Sequence, residues 1–118
     1  MIVPYEKTYG KHVKKKILPE FYDMVKRRVK TFELRRDEDD IQPGDVLELY
    51  EWDGEKYTGH KLTREVTCVL RGYPEYGLMD GYCIIGIMPI GWDTPYTVPA
   101  GTEHLTGDFS ENPAQNPF

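Results

Sequence analysis

The stretch Lys30-Thr31-Phe32-Glu33-Leu34-Arg35 gathers the residue types best suited to chemistry in this 118-residue chain. Read as a strand, it sets Thr31, Glu33 and Arg35 side by side on one face, while Phe32 and Leu34 anchor the other. An Arg fork beside a carboxylate orients a planar polar ligand, such as a nucleobase edge or a phosphate. Glu33 would accept a hydrogen bond from an exocyclic amine or, with its pKa raised by burial, act as a general base. The same spacing fits an exposed strand face carrying a cross-strand ion pair, a purely structural role.

Two basic runs lie upstream. In a strand, Lys14 and Lys16 share a face and Lys15 opposes them, so at least one points to the interior or the sheet edge, where lysines discourage edge-to-edge association. Lys26-Arg27-Arg28 closes a short helical pattern and by default is a solvated face. One helix joins the two runs, so together they form one positive surface, with Phe21, Tyr22 and Tyr82 near enough for stacking.

Other chemistries are poorly served. His12, His60 and His104 have neither the spacing nor the neighbours of a zinc-ligand pattern, so no metal centre is expected. Cys68 and Cys83 sit in apolar strand sequence and read as small buried hydrophobes. The chain has no Gly-rich phosphate loop, and no cofactor is expected. Its one serine, Ser110, lacks the Gly-x-Ser-x-Gly elbow of a serine hydrolase.

The net charge of -5 conceals an asymmetry: residues 1–36 hold 11 basic and 4 acidic side chains, and the other 82 hold 4 basic and 16 acidic. This excludes a basic whole-protein footprint for nucleic acid but not a local basic patch. The acidic run Asp37-Glu38-Asp39-Asp40 lies beside the 30–35 stretch and is expected to restrict approach to it. No apolar run approaches the roughly 20 residues of a membrane span, and the first residues lack the apolar core of a signal peptide. These features favour a soluble cytoplasmic protein with no membrane partner.

The elements that must position these residues follow from periodicity. Residues 1–11 read as a loose arm and 12–18 as a strand. Pro19 suits a first helical position, and Phe21, Met24, Val25 and Arg28-Val29 mark an amphipathic helix over 19–29. Strands follow at 30–35 and 46–52, with a Pro43-Gly44-Asp45 turn between them and an Asp53-Gly54 turn after. The strand at 61–70 sets Leu62, Arg64, Val66, Cys68 and Leu70 on one face. A Gly- and Tyr-containing loop at 72–81 leads to a last strand at 82–88. From Pro89 the chain is Pro-rich and aperiodic, an extended tail whose Trp92, Tyr96 and Phe109 are available to dock on the body. The expected fold is α+β or mainly β: a small curved sheet or barrel of about five or six strands with one N-terminal helix, over 1–88, plus a partly disordered extension at 89–118.

Several segments, in order, carry a resemblance: Lys16-Ile17-Leu18-Pro19-Glu20-Phe21, Val29-Lys30-Thr31-Phe32-Glu33-Leu34-Arg35, Gly44-Asp45-Val46-Leu47, Tyr57-Thr58-Gly59, Thr63-Arg64-Glu65-Val66 and Leu78-Met79-Asp80-Gly81-Tyr82. Over about 12–88 the chain resembles a domain-of-unknown-function family labelled "RNA-binding, PUA-like", common in bacteriophage and prophage genomes, within the ASCH/PUA-like superfamily. The resemblance implies a pseudobarrel with a pocket lined by Lys30, Glu33 and Arg35, with Tyr82 beside it. Some ASCH relatives are amidohydrolases that deacetylate acetylcytidine; they match at Lys30 and Arg35 but place a threonine where Glu33 stands.

These readings make Lys16, Lys30, Glu33, Arg35 and Tyr82 the candidate ligand-binding residues, and Lys30 and Glu33 the candidates for catalysis. The leading expectation is a binding module for RNA or a nucleotide-like ligand. A second is an amidohydrolase-like enzyme acting on a modified nucleoside, with Lys30 as base or oxyanion stabiliser and Glu33 activating water. A third is a phage accessory protein that engages a host protein through its acidic surface and tail.

Overall fold

The computed structural model describes residues 8–90. The expectations for the first seven residues and for the segment from 91 onward, including His104, Ser110, Trp92, Tyr96 and Phe109, lie outside the described residues. The elements run β1 (His12–Ile17), α1 (Pro19–Lys26), β2 (Phe32–Arg36), β3 (Val46–Trp52), β4 (Tyr57–Leu70), a single 3-10 turn (Pro74–Tyr76) and β5 (Tyr82–Pro89). The strands form one sheet in the order β1-β3-β4-β5-β2. β1 runs parallel to β3, and every other neighbouring pair is antiparallel. The sheet curls into a half-barrel with one helix against it, which is the expected class. No helix among the described residues is long and apolar enough to cross a membrane.

Register and burial divide the sheet into two faces. The inner face carries Val13 and Ile17 from β1, Leu47 and Leu49 from β3, Leu62 and Val66 from β4, and Cys83, Ile85 and Ile87 from β5. Helix α1 takes the chain from one edge strand to the other and packs Tyr22 and Val25 into the same cluster. Pro19 occupies the first turn as its fixed φ allows.

The helix ends at Lys26, a few residues before the sequence pattern does. Arg28 N–H donates to Val25 O at 3.0 Å and Val29 N–H to Met24 O at 2.9 Å, while Arg28 itself is left-handed at φ 63°. This is a Schellman ending with arginine at the position glycine usually takes, a backbone choice that costs about 1 kcal/mol. Val29 is thereby swung off the apolar stripe and exposed.

Two strands depart from the face assignments that alternation suggests. In β2 the polar residues turn inward: Glu33 and Arg35 are fully buried opposite Ile85 and Cys83, and Phe32 is 48 % exposed. Phe32 and Leu34 therefore do not anchor the core, because the inner face at this edge is built around a charge cluster. In β4 the register shifts between Val66 and Cys68. This bulge inserts one residue and reverses the alternation. Val69 packs on the core, while Cys68 and Leu70 face out. Cys68 is thus not a buried hydrophobe, whereas Cys83 is.

β4 also starts earlier than its alternation suggests, because Gly59, at φ 98°, reads as a breaker yet is accommodated in the strand. Opposite the bulge, Gly86 leaves room for its side chains: a Cβ there would lie 2.6 Å from Thr67 Oγ1 and 2.8 Å from Cys68 Sγ. Gly86→Ala is expected to lower stability by about 1–3 kcal/mol, measured by urea denaturation. An unchanged midpoint would show that the bulge side chains rotate aside freely.

Candidate functional site

The inward turn of β2 gathers a buried cluster of three charges. The Glu33 carboxylate accepts from both sides: Arg35 donates to Oε1 from Nη2 at 2.6 Å and from Nε at 3.2 Å, and the Lys30 ammonium meets Oε2. Glu33 and Arg35 have no solvent exposure, and Lys30 retains 8 %. The ion pairing is therefore neither exposed nor cross-strand, since all three residues come from β2 and the turn before it. Isolated charges are too costly to leave in such a place, so each requires the others. The cluster carries a formal balance of one positive charge, and Lys30 is its one member with any exposure.

Aromatic rings border that exposed edge. Lys30 Nζ lies 5.7 Å from the Phe21 ring centroid and 5.3 Å from that of Phe32, within cation–π range. Burial, and then the positive charge of Arg35, lower the Lys30 amine from 10.5 to about 8. Glu33 is differently placed: both carboxylate oxygens already accept from cations. That arrangement suits holding Lys30 and Arg35 in place better than activating water.

The structure separates the other candidates from this cluster. Lys16 pairs in register with Tyr50 and lies on the outer face, its ammonium 4.2 Å from the Trp52 ring and 5.5 Å from that of Tyr57. Tyr82 pairs with Arg36 and shares the outward parity of Ile84. Lys30, Glu33 and Arg35 are brought together; Lys16 and Tyr82 are not.

Other buried charges find partners elsewhere in the domain. Lys15 points inward and its ammonium meets Asp39 Oδ2 at 2.7 Å, with no exposure of the lysine side chain. Arg64 donates to Thr63 O at 3.0 Å and to Val25 O at 3.1 Å, tying β4 to the last turn of α1. The alternation Leu62-Arg64-Val66 already placed Arg64 on the inner face. Lys15 was signalled only by the rule that one lysine of its run must point inward.

The acidic run is clipped to cations rather than held over the site as a screen. Asp37 takes Arg71 at 2.6 Å and 3.1 Å, Glu38 takes Arg36 at 3.3 Å, and Asp39 takes Lys15. The Gly44-Asp45 pair makes a turn clamp: Asp45 accepts from the backbone N–H groups of Lys11 and Gln42 and from Lys11 Nζ. Burial would raise the Asp45 carboxyl, but the Lys11 and Gln42 hydrogen bonds hold it below the usual carboxylate range.

His12 and His60 serve as partners of Glu48 and Glu51, and His60 stacks on Tyr22. Burial and the neighbouring Asp37 push the Cys83 thiol upward, which keeps it an uncharged packing group. Among the described residues, no cluster of His, Cys, Asp or Glu is arranged to hold a metal ion.

The fold and cluster define a small half-barrel domain with a buried acid-base triad at one sheet edge. A family model described as "Domain of unknown function (DUF3850)" matches residues 12–87, and the chain belongs to that family. The match spans β1 to nearly the end of β5, and so includes the whole triad. No curated protein matches the chain.

Glu33→Gln removes the counter-charge of two buried cations, and a loss of about 3–5 kcal/mol is expected in chemical denaturation. Lys30 adds a pH dependence of definite sign. Between about 8 and 10.5 the unfolded chain holds the Lys30 proton and the folded protein does not. Raising pH through that window therefore favours the fold. Urea midpoints across the window are expected to show this rise in the native protein and to lack it in Lys30→Met.

Proposed function

We propose that this domain is a binding module for RNA or a nucleotide-like ligand, of PUA-like/ASCH kinship, which meets its ligand at the Lys30 edge of the triad. One observation carries the reading. A cationic cluster is almost wholly enclosed, and Lys30, its one member with any exposure, has its ammonium within cation–π distance of both Phe21 and Phe32. An ammonium that contacts phosphate or a base edge, next to rings on which a base can stack, is the combination single-stranded nucleic acid requires. Glu33 and Arg35 then act as positioning residues, holding Lys30 at the mouth.

Titration of a short single-stranded RNA, followed by NMR at two salt concentrations, tests this. Binding is expected at low salt and should weaken as salt rises. Lys30→Gln keeps a donor toward Glu33 but removes the charge, and is expected to weaken binding about tenfold, the scale of one charge-assisted hydrogen bond. No binding at low salt, or affinity unaltered by Lys30→Gln in a protein that still folds, would overturn the proposal.

The lowered Lys30 amine favours a second reading. An amine titrating near 8 is a competent general base. On this reading the domain is an amidohydrolase-like enzyme that acts on an acylated nucleoside. A panel of modified nucleosides followed by chromatography separates the two: turnover lost in Lys30→Gln supports the enzyme, and binding with no turnover supports the module.

A further inference from the structure

We propose that the turn closing α1 is the phosphate-holding part of the same site, with Lys26 and Arg28 contacting the backbone of a single-stranded RNA that reaches Phe32. The inference rests on the RNA-binding reading above and adds which residues hold the strand outside the enclosed triad.

Three observations converge. First, this domain pairs most of its described cations with carboxylates. Lys11, Lys15, Arg27, Lys30, Arg35, Arg36, Lys61 and Arg71 all have acidic partners. Among the described residues, Lys26, Arg28 and Lys56 are exposed and carry neither an ion pair nor a side-chain hydrogen bond; Lys56 lies in the β3–β4 turn, whereas Lys26 and Arg28 close α1. Both sit on the turn that leads directly into Lys30.

Second, Arg28 occupies a left-handed position, φ 63°, that its helix ending would fill best with glycine. Its exposed side chain makes no ion pair or hydrogen bond that would offset this cost. A charged residue kept at a strained, exposed position points to a task outside the fold.

Third, the apolar residues after the turn are open. Val29 is 63 % exposed, and Phe32 offers half its surface next to the Lys30 ammonium. Arg28 and Lys30 are two residues apart, no more than about 7 Å along the chain. A strand lying across this turn therefore meets cations and a stacking ring in quick succession. The net charge of -5 makes such a local footing necessary, since the protein as a whole repels a polyanion.

The test uses the full chain and a single-stranded RNA of about ten nucleotides, a length within the range one small domain covers. Affinity at several salt concentrations and melting temperature are measured together. Arg28→Gly is expected to keep or raise the melting temperature while weakening RNA binding roughly five- to tenfold and lowering the salt slope by about 0.7. Lys26→Ala is expected to lower the slope similarly, and the two together by about twice as much. Phe32→Ala is expected to weaken binding at every salt concentration with an unchanged slope. Lys56→Ala, which removes the same charge from the β3–β4 turn, is expected to leave the slope as in the native protein.

If the native chain binds but Arg28→Gly and Lys26→Ala match it in affinity and slope, the inference falls and the Lys30 reading stands. An equal loss in Lys56→Ala also overturns it, since net charge would then be the cause. If the native chain binds no RNA at low salt, both fall together.

Discussion

A carboxylate with no access to water governs the architecture of this domain. Glu33 is tolerable inside the half-barrel only because Lys30 and Arg35 saturate both its oxygens. Satisfying that condition fixes the parity of β2, since Glu33 and Arg35 must share the inward face. Phe32 and Leu34 are consequently forced outward. The outer side of β2 and β5 becomes apolar, and the loop after β4 comes down over it. Leu34, Leu70, Ile84, Tyr73, Tyr76 and Leu78 line an open groove of about 380 Å³ there. Both faces of this end of the sheet follow from one buried anion.

The same electrostatic demand organises the chain's uneven charge. The basic first third and the acidic remainder fold into each other: Lys11 is bound by Asp45, Lys15 by Asp39, and Arg36 by Glu38. Arg71, one of the few cations outside the first third, takes Asp37 and Ile41 O and so pins the acidic run that follows β2, whereas Lys30 precedes that strand. Fully neutralised pairs contribute little attraction for a distant polyanion. Among the described residues, the exposed cations left without an ion pair or side-chain hydrogen bond are Lys26 and Arg28 at the end of α1 and Lys56 in the β3–β4 turn.

The elements were legible where one principle decided them. Pro19 opened the helix, Asp53-Gly54 closed the β3–β4 turn, and the apolar runs marked β3 and β5. Asp53 even caps its own turn, accepting from the N–H groups of Glu55 and Lys56. The misreadings arose where tertiary context outweighed a local rule. Alternation in β2 assigned its faces by hydrophobicity, but a three-residue charge cluster can be buried when each member satisfies the others. The β4 bulge leaves no mark in β4 itself; the mark is Gly86, on the neighbouring strand. Lys16 and Tyr82 joined the candidate site through sequence proximity and resemblance, and strand register set them on the other side of the sheet.

An enclosed triad is also a constraint on how any ligand is recognised. A ligand group that reached Glu33 directly would have to displace one of the cations already in contact, leaving a buried charge unmatched. Contact at the rim avoids that penalty, because Lys30 can offer its remaining donor capacity outward while one hydrogen stays on Glu33. On the proposed binding reading, specificity would come from an ammonium held near Phe21 and Phe32 rather than from the depth of a pocket. The buried part of the domain sets the position of one charge, and the exposed turn beside it carries two further cations, Lys26 and the left-handed Arg28.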